Sequence, residues 1–253
     1  MWKPDPLQDP PPEVWREKAR KFVNWAVEEL MNMSNDHGIK AWLYKRGINE
    51  FVINHFGLGW NPGKDGKDLF RPRESWGLPT ELKKDGRKKK LWIPRGLVIP
   101  LLSDSSPSEI HRIRIRREKA DPRYYVMPGS NMRCLLEAPM GVRAYTVVES
   151  ELDAMMIHYR ANIGGDITGV VALGNSSRKP DEAAAAKLRD AAVILNALDA
   201  DKSGADQGIW WTENFHRTIR WPVPLGKDPG EAFEAGVNIR DWVKAGLPKG
   251  WFL

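Results

Sequence analysis

From Tyr145 onward, short apolar runs alternate with stretches whose apolar residues recur at helical spacing. The runs ending at Val148, Leu173 and Leu198 are rich in Val, Ile and Leu, and each gives way to polar residues that suit a helix start. The pattern predicts strands up to Val148, from Gly169 to Leu173, from Val193 to Leu198 and near Thr218 to Val223. Helices are predicted from Glu151 to Asn162, Asp181 to Arg189 and Ala205 to His216, followed by two short ones, Gly230 to Ala235 and Ile239 to Ala245. Parallel neighbours need a crossover and helices fill it, so the alternation implies an α/β unit, a mostly parallel sheet with helices on both faces.

The first half reads differently. Trp15, Ala19, Phe22, Val23, Ala26, Val27 and Leu30 share one face of a long amphipathic helix from Glu13 to Met33. A second helix ends in Ala41 to Gly47, with basic residues in its last turn and glycine just beyond, and Asn49 caps a third that carries Phe51, Val52, Ile53 and Phe56. Strands follow at Leu91 to Ile93, Leu97 to Leu102 and Glu109 to Arg117, then a strand and turn from Arg123 to Ser130. The expected organisation is a Pro-rich tether and helix (1–34), a basic α+β subdomain (35–142), the α/β domain (143–235) and a helical tail (236–253).

With 253 residues, 42% of them hydrophobic, the chain can bury a sizeable core. It has no apolar run of about 18 residues, and its N-terminus has no signal-peptide core, so no membrane is expected as a partner and a cytoplasmic location is. A single cysteine, Cys134, excludes an internal disulfide and a CxxC-type zinc ribbon, and the five histidines show no ligand spacing. The net charge of +6 is unevenly spread: residues 1–145 carry 27 Lys+Arg against 18 Asp+Glu, net +9, and residues 146–253 carry 12 against 15, net −3. A basic half suits a polyanion and an acidic half suits metal.

Two basic features stand out. The span Lys83 to Lys90 holds six positive charges in eight residues, the mark either of a solvated loop or of a contact with a nucleic-acid backbone. In the strand through Ile113 and Ile115, strict alternation sets Arg112, Arg114 and Arg116 on one face about 7 Å apart, where they form either a phosphate-binding strip or a solvent-facing side.

The acids carry the chemistry. Glu149 ends one apolar run, and Asp199 and Asp201 end another; strand ends of a parallel sheet share one rim, so the three converge there. Clustered carboxylates repel unless cations lie among them, and oxygen-only ligand sets favour Mg2+ or Mn2+ over zinc. Asp153 fits either metal contact or an acid in the first turn of a helix. Ser203 and Asp206 have the spacing of a capping box, and Lys227 and Asp228 add a base and an acid after the last strand. The loop from Leu173 to Ser177 is small enough for its amides to approach a phosphate, or is an ordinary turn.

Val147-Val-Glu149-Ser-Glu-Leu-Asp153, Gly169-Val-Val-Ala-Leu-Gly174, Leu198-Asp-Ala-Asp-Lys-Ser-Gly204 and Gly226-Lys-Asp-Pro229, in that order, resemble a TOPRIM domain. Upstream, Tyr44-Lys-Arg-Gly-Ile48, Phe56-Gly-Leu-Gly59, Arg95-Gly-Leu-Val-Ile-Pro100, the Arg112 to Arg116 strand and Arg123-Tyr124 resemble the basic subdomain of DnaG-type primases. The resemblance implies synthesis of short RNA primers on single-stranded DNA from ribonucleoside triphosphates. It implies that Glu149, Asp199 and Asp201 bind catalytic Mg2+ or Mn2+, with Asp153 and Asp228 in support. Arg116 and Arg123 fall where that family binds nucleotide or template, and Arg95, Arg112, Arg114, Lys202 and Lys227 are assigned with them. A DnaG-type zinc module has no cysteine set here, so a separate zinc-binding module and a replicative helicase are the expected further partners. The departures suggest a divergent plasmid, phage or mobile-element branch. The rival expectations are a TOPRIM nuclease and a non-catalytic single-strand-binding component.

Overall fold

The computed structural model describes residues 2–36, 38–103, 109–118, 120–175, 177–199 and 202–251, the side chains of 202–207 excepted. The chain forms two units, one made of Gln8–Ala41 and Asn49–Met132, the other of Met1–Leu7, Trp42–Ile48 and Arg133–Leu253.

The first unit is antiparallel. Strands β1 (Gly59–Asn61), β4 (Gly96–Leu102), β5 (Ile110–Arg116) and β6 (Tyr124–Val126) form a sheet in the order β1-β4-β5-β6, and β2 (Leu69–Pro72) and β3 (Lys90–Ile93) make a separate hairpin. Helix α1 (Glu13–Met31) lays its predicted apolar stripe on this sheet, with Trp15, Ala19, Phe22, Val23 and Ala26 in one cluster with Val98, Ile113 and Ile115. The approach is close enough that a Cβ at Gly59 would lie 2.5 Å from the α1 backbone at Ala26, so only glycine fits there. Helix α3 (Glu50–Phe56) starts at the predicted cap, where the Asn49 side chain accepts from Val52 N at 3.2 Å.

The second unit is the expected α/β layer. Strands β7 (Leu135–Glu137), β8 (Ala144–Val148), β9 (Gly169–Ala172), β10 (Val193–Asn196) and β11 (Thr218–Arg220) form a sheet in the order β11-β10-β8-β9-β7. All neighbours are parallel except β7, which runs antiparallel to β9. Helices α5 (Glu182–Asp190) and α6 (Lys202–Asn214) cover the face of Tyr145, Val147, Val171 and Ile194 with Ala184, Ala185, Leu188 and Trp211. Helix α4 (Glu151–Asn162) lies against β8 and β9, with α7 (Pro229–Glu234) and α8 (Ile239–Ala245) packed on it. No helix among the described residues is long and apolar enough to cross a membrane.

Three expectations change. The sheet gains β7, which moves the start of this unit from residue 143 to Arg133. Helix α2 (Gly38–Lys45) crosses from one unit to the other, so Trp42–Ile48 joins the α/β unit. The N-terminal residues are not a free tether: the Trp2 ring meets Trp210 edge-on at 4.9 Å, and Glu182 N donates to Asp5 O at 3.1 Å. An indole gains too much from burial to stay in solvent beside an aromatic cluster.

Candidate metal and nucleotide site

All five residues of β8 are buried, and Glu149 is the first residue past its end. The turn there is fixed from both sides. Ser150 caps α4, its hydroxyl accepting from Asp153 N at 3.1 Å, and the Glu149 carbonyl accepts from Gly174 N at 2.7 Å. Strand β10 is the parallel neighbour of β8, with Asn196 opposite Val147 and Ala197 N donating to Val147 O at 2.9 Å. Asp199 therefore lies on the same carboxyl rim as Glu149, one strand away, and both residues are half-buried.

The Asp199 turn is clamped by a residue the sequence does not flag. Arg220, at the end of β11, donates through Nη1 to Asn196 O at 3.0 Å and Leu198 O at 2.6 Å, and through Nη2 to Asp199 O at 3.1 Å. Asn196 adds a local bond, its Oδ1 accepting from Leu198 N at 3.2 Å. Asp201 lies outside the described residues, as does the Lys202 side chain.

Asp153 and Asp228 meet through Arg46, whose Nη2 lies 3.2 Å from Asp153 Oδ1 and 2.5 Å from Asp228 Oδ1. Each carboxylate has further structural work. Asp153 accepts from Ser150 Oγ at 2.6 Å and from Gly230 N at 3.1 Å, and Asp228 caps α7 by accepting from Glu231 N at 2.8 Å. Burial pushes the Asp153 carboxyl above its usual range, the charge of Asp228 pushes it further, and Arg46 pulls against both. Burial lowers the pKa of Arg46, but the two carboxylates outweigh it and hold the guanidinium firmly charged. The supporting acids are thus engaged with an arginine rather than turned to the rim as an open pair. The signal for this was absent, because basic residues in the last turn of α2 already satisfy the helix dipole.

Gly230 makes the triad possible, since a Cβ there would fall on the Arg46 guanidinium. Gly230→Ala is expected to displace Arg46 and cost about 1–3 kcal/mol by overpacking, read as a lower midpoint in urea. An unchanged midpoint would show that Arg46 yields at no cost.

The basic residues divide. Arg95 and Arg123 are exposed, as is Lys227, which lies 3.9 Å from Glu231. Arg112 and Arg114 are only 2% and 5% exposed, and the Arg114 guanidinium sits over the Tyr124 ring at 5.8 Å. An open strip through Arg112, Arg114 and Arg116 is therefore corrected: only Arg116 is half-exposed. Alternation gave the facing correctly but says nothing of coverage, and β5 is an inner strand whose two faces are both buried. In the loop after β9, Glu149 O accepts from Gly174 N at 2.7 Å and Asn175 Oδ1 accepts from Arg178 N at 2.9 Å, so these two amides are already bonded within the protein.

No protein-family model matches the chain, and no curated protein sequence matches it. Solved structures do. The zinc-binding and RNA polymerase domains of the Aquifex aeolicus primase superpose with a TM-score of 0.64 at 19% identity, over 93% of this chain and 61% of that one. The chain thus spans about three-fifths of that structure. A DnaG primase catalytic domain bound to single-stranded DNA gives 0.58 at 17% identity, over 93% and 82% of the two chains. The RNA polymerase domain of Mycobacterium tuberculosis primase DnaG gives 0.62 at 15%, over 91% and 82%. The chain has the fold of the primase catalytic core.

Proposed function

We propose that the chain is the catalytic core of a DNA primase, a nucleotidyltransferase that builds short RNA primers on single-stranded DNA. The observation that carries this reading is the placement of Glu149 and Asp199 at the ends of adjacent parallel strands, on a fold shared with primase cores. One of those cores is bound to single-stranded DNA, which supports the same template here. The chemistry is attack of a 3′-hydroxyl on the α-phosphate of an incoming ribonucleoside triphosphate, with pyrophosphate leaving.

Glu149, Asp199 and Asp201 would hold Mg2+ or Mn2+, and their oxygen-only donor set fits a hard divalent cation. When bound, the ion supplies Lewis-acid stabilisation of negative charge on the transferring phosphoryl group and eases loss of the hydroxyl proton. The protein's part is positioning. Arg220 fixes the Asp199 turn, Ser150 fixes the Glu149 turn, and Arg46 locks the starts of α4 and α7 behind the rim. The exposed guanidiniums of Arg95 and Arg123 suit bidentate phosphate contact, with Lys227 as a further cation. A separate zinc-binding module and a replicative helicase, in the cytoplasm, complete the reading, as does a divergent mobile-element branch.

The test is one reaction: purified chain, single-stranded DNA, labelled ribonucleotides and Mg2+ or Mn2+. Oligoribonucleotides that depend on template and divalent ion are expected. DNA degradation without added nucleotides would instead favour a nuclease, and DNA binding with no product under either metal would favour a non-catalytic binder.

A further inference from the structure

The β2–β3 hairpin carries a feature that the proposed chemistry does not use. Phe70 and Trp92 are register partners across the two strands, so they stand side by side on one face. Leu69, Leu91 and Ile93 are buried, whereas Phe70 is 54% exposed. The two rings line a cavity of about 590 Å³ whose other walls are Lys83, Arg87, Lys88, Lys89 and Lys90, with no carboxylate among them.

The platform is built rather than loose. Trp92 Nε1 donates to Asp68 Oδ2 at 2.8 Å, the Arg117 guanidinium lies over its ring at 4.9 Å, and Tyr125 tilts against it at 4.8 Å. The basic span is an ordered turn, with Lys83 N donating to Arg87 O at 2.8 Å and Leu82 bridged to Lys88. Its charges are unevenly neutralised. Arg87 pairs with Asp85 at 2.6 Å, Lys88 with Glu74 at 2.9 Å and Lys89 with Glu81 at 3.0 Å, whereas the wall lysines Lys83 and Lys90 form no ion pair among the described residues. The Lys88 bond, with smaller help from the Glu74 backbone and Thr80, holds the Glu74 carboxyl down to about 2.

An exposed aromatic ring walled by cations matches a ligand with flat apolar faces and regularly spaced anions. Single-stranded nucleic acid has both, whereas a duplex hides its base faces and an acidic peptide has none to offer. We propose that this cavity binds single-stranded nucleic acid, with an unpaired base stacked on Phe70 and the flanking phosphates on the lysines. The inference deepens the primase reading and rests on it for the identity of the polyanion. It adds a template-binding element, the β2–β3 hairpin, to the rim acids and exposed arginines of that reading.

The experiment is fluorescence anisotropy of a labelled oligothymidylate with the full chain, without divalent ions or nucleotides. Phe70→Ala removes an exposed side chain and is expected to weaken single-strand binding by about 5- to 100-fold, the range of one lost stack, while Phe70→Trp retains it. Duplex affinity should stay within about twofold of wild type, because a duplex offers no free base face. Lys83→Ala with Lys90→Ala should weaken both ligands and flatten the salt dependence by roughly one unit of slope for each phosphate no longer neutralised. Unchanged single-strand affinity in Phe70→Ala overturns the proposal, as does an equal loss for duplex, which would mark a merely electrostatic surface. A chain that binds as expected but makes no primer sinks the primase reading and leaves this one standing. A chain that primes while Phe70→Ala binds normally does the reverse.

Discussion

Asp199→Asn and Glu149→Gln are each expected to lower primer synthesis by about 10²- to 10⁴-fold, the equivalent of several kcal/mol of lost charge stabilisation at the phosphoryl group. Both substitutions keep the shape of the side chain and remove only its charge. The backbone around each site is held independently of the carboxylate, by Arg220 at the carbonyls of Asn196, Leu198 and Asp199, and by Gly174 N at the carbonyl of Glu149. The fold should therefore survive. Adding Mn2+ or Mg2+ should raise the melting temperature of the wild type by mass action and leave the variants almost unmoved. Full primer synthesis by either variant, with a normal thermal response to the ion, would remove the rim acids from the chemistry.

How far the sequence led depends on the range of the interaction. Strands β8, β9 and β10 were legible because a buried parallel strand is apolar on both faces and must stop where charge begins; β8 ends at the predicted Val148, while β9 and β10 end at Ala172 and Asn196, one and two residues before the predicted Leu173 and Leu198. Helix α4 falls on the predicted Glu151 to Asn162, since Ser150 and the acids of the first turn write its start in local chemistry. Strand β7 was not legible: Leu135–Glu137 is too short to show a period, and only its pairing with β9 makes it a strand. Arg46 and Arg220 escaped notice for the same reason. Each reaches partners that are distant in sequence, Arg46 across 107 and 182 residues, and nothing beside it in the chain announces them. The burial of Arg112 and Arg114 belongs with these, because alternation assigns a face but tertiary packing decides whether that face meets water.

The second large effect is expected at Arg46. Its side chain is 14% exposed and bridges the side chains of Asp153, 6% exposed, and Asp228, 14% exposed. Arg46→Met keeps most of the side-chain length but leaves two buried carboxylates facing one another, and breaking a buried pair in this way costs about 3–5 kcal/mol. In a domain of this size that is roughly 6–20 °C of melting temperature. The deficit should depend on pH, with a definite sign. Asp153 already sits above its ordinary pKa through burial and the charge of Asp228, and removing Arg46 takes away the one group pulling it down. A carboxylate raised in the folded state binds more protons folded than unfolded, so stability is lost as pH rises through the folded pKa and regained as pH falls toward the unfolded value of about 4. Arg46→Met should accordingly lie closer to wild type at pH 5 than at pH 8, and adding Asp228→Asn should recover much of the loss at pH 8 by removing one of the two opposed charges. Arg46→Lys, which keeps a cation at the junction, should fall between the two. Thermal melts of the four proteins across that pH range decide the matter: a loss that is the same at both pH values, with no rescue by Asp228→Asn, would mean that Arg46 acts through packing against α7 and not through its charge.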